Sequence, residues 1–328
     1  MFVGFHHARF DALAQIWNDC LPDGYAISPD ILKANSVDCP VFDWGASVID
    51  IDDDAKPLGF VVVKRSAAKL YHGPDPDQAH LSAVVCPKPK MAVEMLAFVK
   101  QNLKDRGSYK IVFGQDIRHF FAGCPSDVAS LRDLLMIEGF EQGGKYYDVQ
   151  QDLSAYKPDE KALHKLKEPE VQVKPIGHDQ LPQFESFMKA EFPGRWTYDT
   201  AAKVKAESGC SFVYGLWVKK DMKGFALTQD EKHKFPISGA VFGKGLGAKW
   251  CTLGPIGVAK DTRGQGLGDA LLTGALMGMK RAGKRNCLID WTVLTDWYGK
   301  HGFKIYRTYM PFSLKLDEVE LESDVLEF

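Results

Sequence analysis

The chain has 328 residues, of which 45% are hydrophobic and 26% charged, and its formal net charge is −2. This length suits about two ordinary domains, and the composition excludes disordered and fibrous proteins. No apolar run approaches the roughly 20 residues of a membrane span. The first ten residues lack the layout of a secretory signal, so we expect a cytoplasmic protein with no membrane partner.

The two halves of the chain carry opposite charge. Residues 1–160 have a formal charge of −7 and residues 161–328 one of +5. An acidic half argues against nucleic acid as the ligand of the whole chain. The seven cysteines are scattered, odd in number and never in C-x-x-C spacing, and only His6 and His7 are adjacent among the nine histidines. We therefore expect no disulfide framework and no metal site.

Hydrophobic periodicity predicts alternating helices and strands in the first half. An acidic turn at residues 52–54 joins two strands, and the second helix is expected to turn Met95, Phe98 and Val99 inward. The predicted helices span residues 10–20, 91–104 and 128–138. The predicted strands lie within 48–63 and at 80–85, 109–113 and 146–153, the last of which closes the first half.

The second half is predicted to follow a similar order. Its helices are expected at 181–191 and 200–207, from residue 266 onward and at 295–301. Its strands are expected at 213–218, 224–228, 238–242, 253–258, 286–292 and 304–315. No helix pattern follows the glycines of residues 243–247, so a long hairpin turn is preferred there to a phosphate loop.

Short matches between the halves indicate a duplication. Lys104-Asp-Arg-Gly107 corresponds to Lys280-Arg-Ala-Gly283, and Glu138-Gly-Phe140 corresponds to His301-Gly-Phe303. These matches predict two tandem copies of one mixed-sheet α/β unit of the α+β type, the first over residues 1–157 and the second over residues 168–328. We therefore expect a monomer that is an internal pseudo-dimer.

A glycine-rich turn lies between a predicted strand and helix of the second half. Its sequence is Arg263-Gly264-Gln265-Gly266-Leu267-Gly268. Glycines let the chain turn tightly and leave N–H groups uncovered at a helix N-terminus, where they suit a pyrophosphate. Neither the P-loop pattern nor the G-x-G-x-x-G of a dinucleotide fold is present. Such glycines can also serve only close packing.

This R-x-x-G-x-G turn, with its strand and helix, resembles motif A of the GNAT N-acetyltransferases. The resemblance implies that acetyl-CoA binds there as cosubstrate. The residues it implies for coenzyme binding are Ile256, Gly257, Val258, Arg263, Gly264, Gln265, Gly266, Leu267, Gly268 and Asp269. The first half has Cys86-Pro-Lys-Pro-Lys90 at the corresponding place, and prolines lack the N–H groups that a pyrophosphate needs. We therefore expect one coenzyme site.

Further segments extend the resemblance over about residues 112–314. Tyr298-Gly-Lys-His-Gly-Phe303 resembles the aromatic-x-x-x-Gly-Phe segment of GNAT enzymes. Residues 113–125, 191–196 and 289–298 resemble bacterial two-domain GNAT enzymes that acetylate glucosamine, apart from Ala122, where the family has proline. The resemblance implies an N-acetyltransferase for a small amine such as an amino sugar. Alternatives are an amino acid, peptide or other amine as acceptor, or a non-catalytic acyl-CoA-binding module.

Two residues are candidates for the chemistry that the resemblance implies. A neutral amine must attack the thioester, so a carboxylate is needed as base and a proton donor assists the departing thiolate. Asp290 interrupts an apolar strand, and partial burial favours proton uptake by a carboxylate. It could equally hold backbone N–H groups, with Glu191 or a water relayed by backbone carbonyls as the base. Tyr298 is the candidate acid or, alternatively, a core residue.

Five residues are predicted to contact the acceptor. Glu191, Arg195 and Trp196 are expected in the loop between the first two helices of the second half, where they could supply hydrogen bonds and an apolar face for a sugar. Asp116 and His119 could reach across from the first half. Each could instead form a salt bridge between the halves or lie at an ordinary surface.

Overall fold

The computed structural model describes residues 1–65 and 78–316. Its α-helices in chain order are α1 (Phe10–Cys20), α2 (Pro29–Ala34), α3 (Pro89–Asp105), α4 (Ala129–Ile137), α5 (Glu160–Leu166), α6 (Leu181–Glu191), α7 (Arg195–Glu207), α8 (Leu267–Arg281) and α9 (Thr295–Lys300). Its strands are β1 (Phe2–Val3), β2 (Val48–Ile51), β3 (Pro57–Arg65), β4 (Gln78–Val85), β5 (Lys110–Phe113), β6 (Cys124–Pro125), β7 (Glu141–Gln142), β8 (Tyr146–Asp152), β9 (Val171–Pro175), β10 (Val213–Val218), β11 (Asp221–Asp230), β12 (Cys251–Val258), β13 (Asn286–Thr292), β14 (Lys304–Met310) and β15 (Phe312–Lys315).

These strands form two mixed sheets with one plan. The first has seven strands in the order β1-β2-β3-β4-β5-β15-β7, and the second has eight in the order β9-β10-β11-β12-β13-β8-β14-β6. Each sheet contains a parallel pair, β4 with β5 and β12 with β13, among otherwise antiparallel described strands. The predicted mixed α/β fold with two similar units is confirmed.

Each half gives its last strand to the sheet of the other half. Strand β8 lies between β13 and β14, and β15 lies between β5 and β7. The sequence predicted β8 as a strand of the first half itself and residues 304–315 as one strand. Pro311 separates β14 from β15, because a proline lacks the N–H that a ladder needs. Both sheets therefore cross the predicted boundary at residues 157–168.

The repeated sequence motifs end helices in the same way. Gly107 after α3 and Gly283 after α8 both have φ of 78°, and Gly139 after α4 and Gly302 after α9 have φ of 84° and 90°. The residue after each glycine donates its N–H to the carbonyl five residues back. This closure needs a left-handed residue, which is why glycine recurs there.

Two local predictions of the sequence are wrong. Phe98 does not turn inward: its residue is 40% exposed and its ring meets Phe2 at the surface. Residues 238–247 form neither a strand nor a hairpin turn but a 3₁₀ helix, Ser238–Leu246. Gly243 packs against the ring of Trp250 so closely that a side chain would have no room. Dense glycines thus favour a compact turn over a strand here.

Within the described ranges, no helix is long and apolar enough to cross a membrane. In the same residues, no three His, Cys, Asp or Glu side chains are grouped to hold a metal ion. All seven cysteines are free thiols.

Candidate active site

The second sheet opens between β12 and β13. The two strands pair only at Cys251 with Cys287 and at Thr252 with Leu288, although both run on for several residues. Each has an extra residue just beyond: β12 shifts register against β11 between residues 253 and 256, and β13 against β8 between residues 289 and 292. Such bulges bend a strand. We call the resulting gap the wedge.

Strand β12 presents backbone donors to the wedge. The N–H of Ala259 donates to the carbonyl of Lys223 at 2.8 Å. Because residues of an antiparallel ladder face the partner strand alternately, Gly257 also faces β11. Ile256 and Val258 therefore direct their N–H groups toward the wedge. Gly257 leaves room for the ring of Phe192, which a Cβ would meet at 2.5 Å.

The glycine turn leads from the wedge into α8. Gly264 and Gly266 have φ of 78° and 75°, and a Cβ added to Gly264 would meet nothing within 4 Å. Among the residues that the structure describes, no side chain caps the N-terminus of the 15-residue helix α8. Its first N–H groups and its dipole thus face an open, anion-compatible space. The turn is therefore open to an anion.

One cation beside this turn was missed in the sequence. Lys165 lies on α5, and its Cε would be 3.9 Å from a Cβ on Gly266. Its Nζ pairs with Glu168 at 2.8 Å. Nothing in the sequence near the turn signals this lysine, because the packing of α5 against α8 brings it there.

Two carboxylates, those of Asp269 and Glu191, lie beside the glycine turn. Oδ1 of Asp269 accepts from Trp297 Nε1 at 2.8 Å and lies 2.9 Å from His301 Nε2, so its carboxylate joins α8 to α9. Glu191 accepts the N–H of Lys260 at 2.9 Å. Glu191 is not among the residues that line the cleft described next, and its hydrogen bond stabilises the start of the turn.

A cleft of about 220 Å³ lies at the mouth of the wedge. Asp290 and Tyr298 both line it. Its other lining residues are Arg195, Trp196, Asp199, Ser238, Gly254, Pro255, Ile256, Ile289, Trp291, Thr292, Val293 and Leu294. The Asp290 side chain is 14% exposed. A Cβ on Gly254 would lie 3.3 Å from its Oδ1, so that glycine makes room for the carboxylate.

His119 of the first half reaches the edge of the cleft, where it approaches Asp290. Its Nε2 lies 3.6 Å from Oδ2 of Asp290, and its Nδ1 lies 3.3 Å from Nη1 of Arg195. The Arg195 guanidinium stacks over the ring of Trp291 at 4.4 Å. One histidine thus joins the candidate base to the predicted arginine.

Arg195 and Trp196 lie on α7 and not in a loop. The helix begins at Arg195, five residues before the predicted start, after Gly194 at its N-cap. The hydroxyl of Thr197 donates to the carbonyls of Met188 and Phe192 and ties the helix to α6. Residues 195–200 have little helical propensity, so their helix depends on this packing. Trp196 forms one wall of the cleft.

Asp116 does not reach the cleft, so its predicted contact with the acceptor is wrong. The residue is 1% exposed and pairs with Lys64 Nζ at 2.6 Å. It also accepts from the hydroxyl of Ser82. Burial raises its pKa, but Lys64, His80 and the hydroxyl of Ser82 together outweigh that effect and hold the pKa of Asp116 below its usual value. This carboxylate belongs to the interior of the first half.

Asp148 supports the strand that carries Asp290 and was missed in the sequence. It lies on β8, and its Oδ1 accepts the N–H of Trp291 at 3.1 Å, where the β13 bulge has a φ of 46°. Its Oδ2 accepts from the hydroxyl of Tyr309 at 2.9 Å. Burial and, secondly, the charge of Asp290 raise the pKa of Asp148 to about 7.

Tyr298 lies on α9, where its side chain is largely enclosed. Its ring packs against Trp297 and Phe303, with centroids 4.7 and 5.9 Å away. Burial and then the charge of Asp290 raise its pKa. The phenol therefore stays protonated at neutral pH and can donate a hydrogen bond into the cleft.

Comparison with known proteins supports the fold. No protein-family model and no curated protein matches the chain. Among solved structures, a fungal multi-domain GH3 β-N-acetylglucosaminidase, described as having a GCN5-related glucosamine N-acetyltransferase region, matches 96% of the chain with a TM-score of 0.83 and 17% identity. This chain covers 38% of that protein.

Two further structures match over nearly their whole length. A GCN5-related N-acetyltransferase from Sphaerobacter thermophilus has a TM-score of 0.64 and 15% identity, over 98% of this chain and 97% of that one. A tandem GNAT protein from the clavulanic acid biosynthesis pathway has a TM-score of 0.64 and 11% identity, over 98% and 99%. At such identities the likeness shows the fold, and it confirms the tandem GNAT fold that the sequence motifs implied.

Proposed function

We propose that this chain, which has the tandem GNAT fold, is an acetyl-CoA-dependent N-acetyltransferase for a small primary amine, with an amino sugar such as glucosamine as acceptor. One observation carries the proposal. The cleft lined by Asp290 and Tyr298 includes Gly254, Pro255 and Ile256 of β12, the strand on one side of the wedge, and the chain runs from β12 through residues 259–266 into the glycine turn before α8. This arrangement suits a long ligand with a pyrophosphate at one end and a reactive group at the other.

The residues of this arrangement fit acetyl-CoA. The N–H groups of residues 263–269 would hold the pyrophosphate, assisted by the charge of Lys165. The N–H groups of Ile256 and Val258 would pair with the amides of the pantetheine arm, as an added strand pairs with a sheet edge. Acetyl-CoA would supply an acetyl group activated as a thioester.

Asp290 is the base in this proposal. It would accept a proton from the acceptor ammonium, so that the nitrogen lone pair attacks the acetyl carbonyl. The N–C bond forms and the C–S bond breaks, the second proton of the nitrogen passes to solvent, and CoA leaves as the thiolate. His119, which lies 3.6 Å from Asp290, would hold the carboxylate in position.

Tyr298 acts in this proposal as a hydrogen-bond donor to the departing sulfur. A thiol has a pKa of about 8.5, and burial raises the pKa of Tyr298 above its usual value. Complete proton transfer from this phenol to the thiolate is therefore uphill. A retained proton shared with the sulfur stabilises the developing negative charge instead.

The cleft also supports a sugar as acceptor. Trp196 and Trp291 supply aromatic faces, and Arg195, Asp199 and Ser238 supply polar groups. This combination of an apolar wall with a few hydrogen-bonding groups suits a hydroxylated ring. The fungal structure described as containing a glucosamine N-acetyltransferase region agrees with this class of acceptor.

An assay of thiol release from acetyl-CoA tests the proposal. Glucosamine, galactosamine, cyclohexylamine, glycine and a short peptide should be compared at equal concentration. We expect acceptor-dependent release of free thiol with the amino sugars and formation of the N-acetyl sugar. Thiol release with glycine or the peptide but not with the amino sugars would contradict an amino sugar as the acceptor. Acetyl-CoA binding with no turnover of any amine would favour a binding module.

The exchange of strands supports a further part of the proposal, that the chain works as a monomer. Each sheet is completed by a strand from the other half of the same chain. Light scattering should therefore give a mass near 36.6 kDa. A stable dimer at the concentrations used for activity would contradict a monomer.

A further inference from the structure

Asp199 is a buried carboxylate in the wall of the cleft that the proposed chemistry does not use. It lies on α7, one helical turn after Arg195, and the residue is 4% exposed. Its Oδ2 lies 3.4 Å from Nη1 of Arg195. Its Oδ1 is enclosed and has no hydrogen-bond partner among the described residues. A buried acceptor without a donor is unfavourable, so this carboxylate has an unmet capacity to accept a hydrogen bond.

The neighbouring cation is shared among several groups. The Arg195 guanidinium stacks over Trp291, and the same Nη1 that approaches Asp199 lies 3.3 Å from His119. Burial raises the pKa of Asp199, and Arg195 and His119 oppose that rise. Arg195 therefore compensates the negative charge of the Asp199 carboxylate only in part.

The charges around the cleft favour one class of ligand. Asp199 and Asp290 are both in its lining, whereas Arg195 is its sole lysine or arginine among the described lining residues. An acceptor that brings its own carboxylate would add a third negative charge in a poorly solvated space. An acceptor with hydroxyl groups would supply donors without that charge.

We propose that Asp199 is an acceptor-binding residue whose carboxylate, in the wall of the cleft, accepts a hydrogen bond from a hydroxyl group of the amine substrate. The inference rests on the proposed function and narrows the acceptor to hydroxylated amines, in preference to amino acids. Asp290 remains the group that takes the proton. Asp199 was missed in the sequence because α7 was expected to begin one residue after it.

A cycle that combines a variant with a substrate analogue tests this contact. Glucosamine and cyclohexylamine both carry a primary amine on a six-membered ring, but only glucosamine has hydroxyl groups. We expect Asp199→Leu to lower kcat/KM for glucosamine about 10- to 100-fold, mainly through KM, as for the loss of a hydrogen bond to a charged group. The value for cyclohexylamine should change by less than about threefold.

Two more variants keep the test sharp. Asp199→Asn retains a carbonyl oxygen in a side chain of the same shape. Its kcat/KM for glucosamine should therefore fall less than that of Asp199→Leu. Thr200→Val is the matched control, because Thr200 is the next residue of α7 and its buried hydroxyl also has no partner, but it does not line the cleft. Thr200→Val should leave kcat/KM unchanged for both glucosamine and cyclohexylamine. Unfolding midpoints and acetyl-CoA affinity show whether each variant is folded.

The outcomes separate the inference from the function. An equal loss for both amines would mean that Asp199 only orients Arg195, and it would overturn the inference while the proposed function stands. An unchanged glucosamine KM in Asp199→Leu would do the same. A wild-type protein that neither acetylates glucosamine nor binds it in calorimetry with CoA present would overturn both.

Discussion

The first half keeps the same opening in its sheet as the second half. Strand β4 pairs with β5 as far as Leu81 and Phe113 and then runs on to Val85, with an extra residue against β3 between residues 81 and 83. A cleft of about 320 Å³ lies beyond this point, lined mostly by apolar residues of α1, β4 and α4. The bulge, the parallel pair and the separation of the strands are therefore common to both halves.

The connection after the opened strand differs between the halves. Residues 86–88 join β4 directly to α3, whose first residue is Pro89. Residues 259–266 join β12 to α8 and include two glycines with positive φ. Pro87 and Pro89 remove two N–H groups from the first connection and the start of α3, whereas every residue of the second connection has one.

The strand opposite the opening differs as well. His80 pairs with Val112, and Thr252 pairs with Leu288. Two residues after Val112 of β5 the first half has Gly114, and two residues after Leu288 of β13 the second half has Asp290. Each is followed by a residue with positive φ, Gln115 at 63° and Trp291 at 46°.

The comparison shows which features depend on backbone geometry and which on chemistry. The fold retains the wedge in both halves, while the connection after the opened strand and one residue on the neighbouring strand differ. In the proposed function, these two differences give the second half its coenzyme turn and its base. The first half instead provides His119 and Asp148, which contact β13. The predictions below test this division of roles.

The largest effect is expected for Asp290→Asn. Loss of a general base should lower kcat about 10²- to 10⁴-fold and flatten the acidic limb of the pH–rate profile, with acetyl-CoA affinity retained. Asp296→Asn is a suitable control, since that carboxylate lies on the exposed first turn of α9. Full activity of Asp290→Asn would move the search for a base to a water held by backbone carbonyls.

Asp116→Ala should act on stability instead of acceptor binding. Removal of this carboxylate leaves the buried Lys64 unpaired, which should lower the free energy of unfolding in urea by about 3–5 kcal/mol. The double variant Lys64→Met with Asp116→Leu should recover much of that loss. A raised acceptor KM with unchanged stability would show that Asp116 serves the cleft after all.

Asp148 should make the stability depend on pH. Its folded pKa of about 7 lies above the unfolded value of about 3.9, so the folded state binds this proton more tightly. The resulting stabilisation is complete below about pH 4 and is lost as the pH rises through about 7. When the pH is lowered from 8 to 5, the free energy of unfolding in urea should therefore rise by about 2–3 kcal/mol more for wild type than for Asp148→Asn. A difference that stays constant with pH would contradict this assignment.

Tyr298→Phe should have the smallest effect of the four. It keeps the packing against Trp297 and Phe303 and removes one hydrogen bond to a developing charge, so kcat should fall about 10- to 100-fold. Acetyl-CoA affinity should be unchanged. Wild-type kcat under conditions where chemistry limits turnover would leave Tyr298 a core residue.

The sequence predicted the elements with strong periodicity and the turn with a distinctive motif. Helix α1, strand β13 and the R-x-x-G-x-G turn follow from local patterns, so their predicted bounds agree with those in the structure. The exchange of β8 and β15 could not be predicted, because each strand has the same local pattern whichever sheet it joins. Pro311 was the one local signal of the break between β14 and β15.

The candidate site was predicted in part for the same reason. Asp290, Tyr298 and His119 stand in segments with a family resemblance, and the structure brings all three to one cleft or its edge. Asp148 and Lys165 depend on contacts between distant segments, which periodicity does not reveal. Asp116 was misjudged because a carboxylate in a motif looks the same in sequence whether it faces a ligand or a buried lysine.

Titration calorimetry with acetyl-CoA tests most directly whether the second half alone holds the coenzyme. Wild type should bind one molecule per chain. Gly266→Pro, which removes an N–H and cannot adopt the φ of 75°, should abolish binding with the circular dichroism spectrum retained. Lys88→Ala, in the corresponding connection of the first half, should bind as wild type does. Two equivalent sites per chain, or unchanged affinity in Gly266→Pro, would contradict the account.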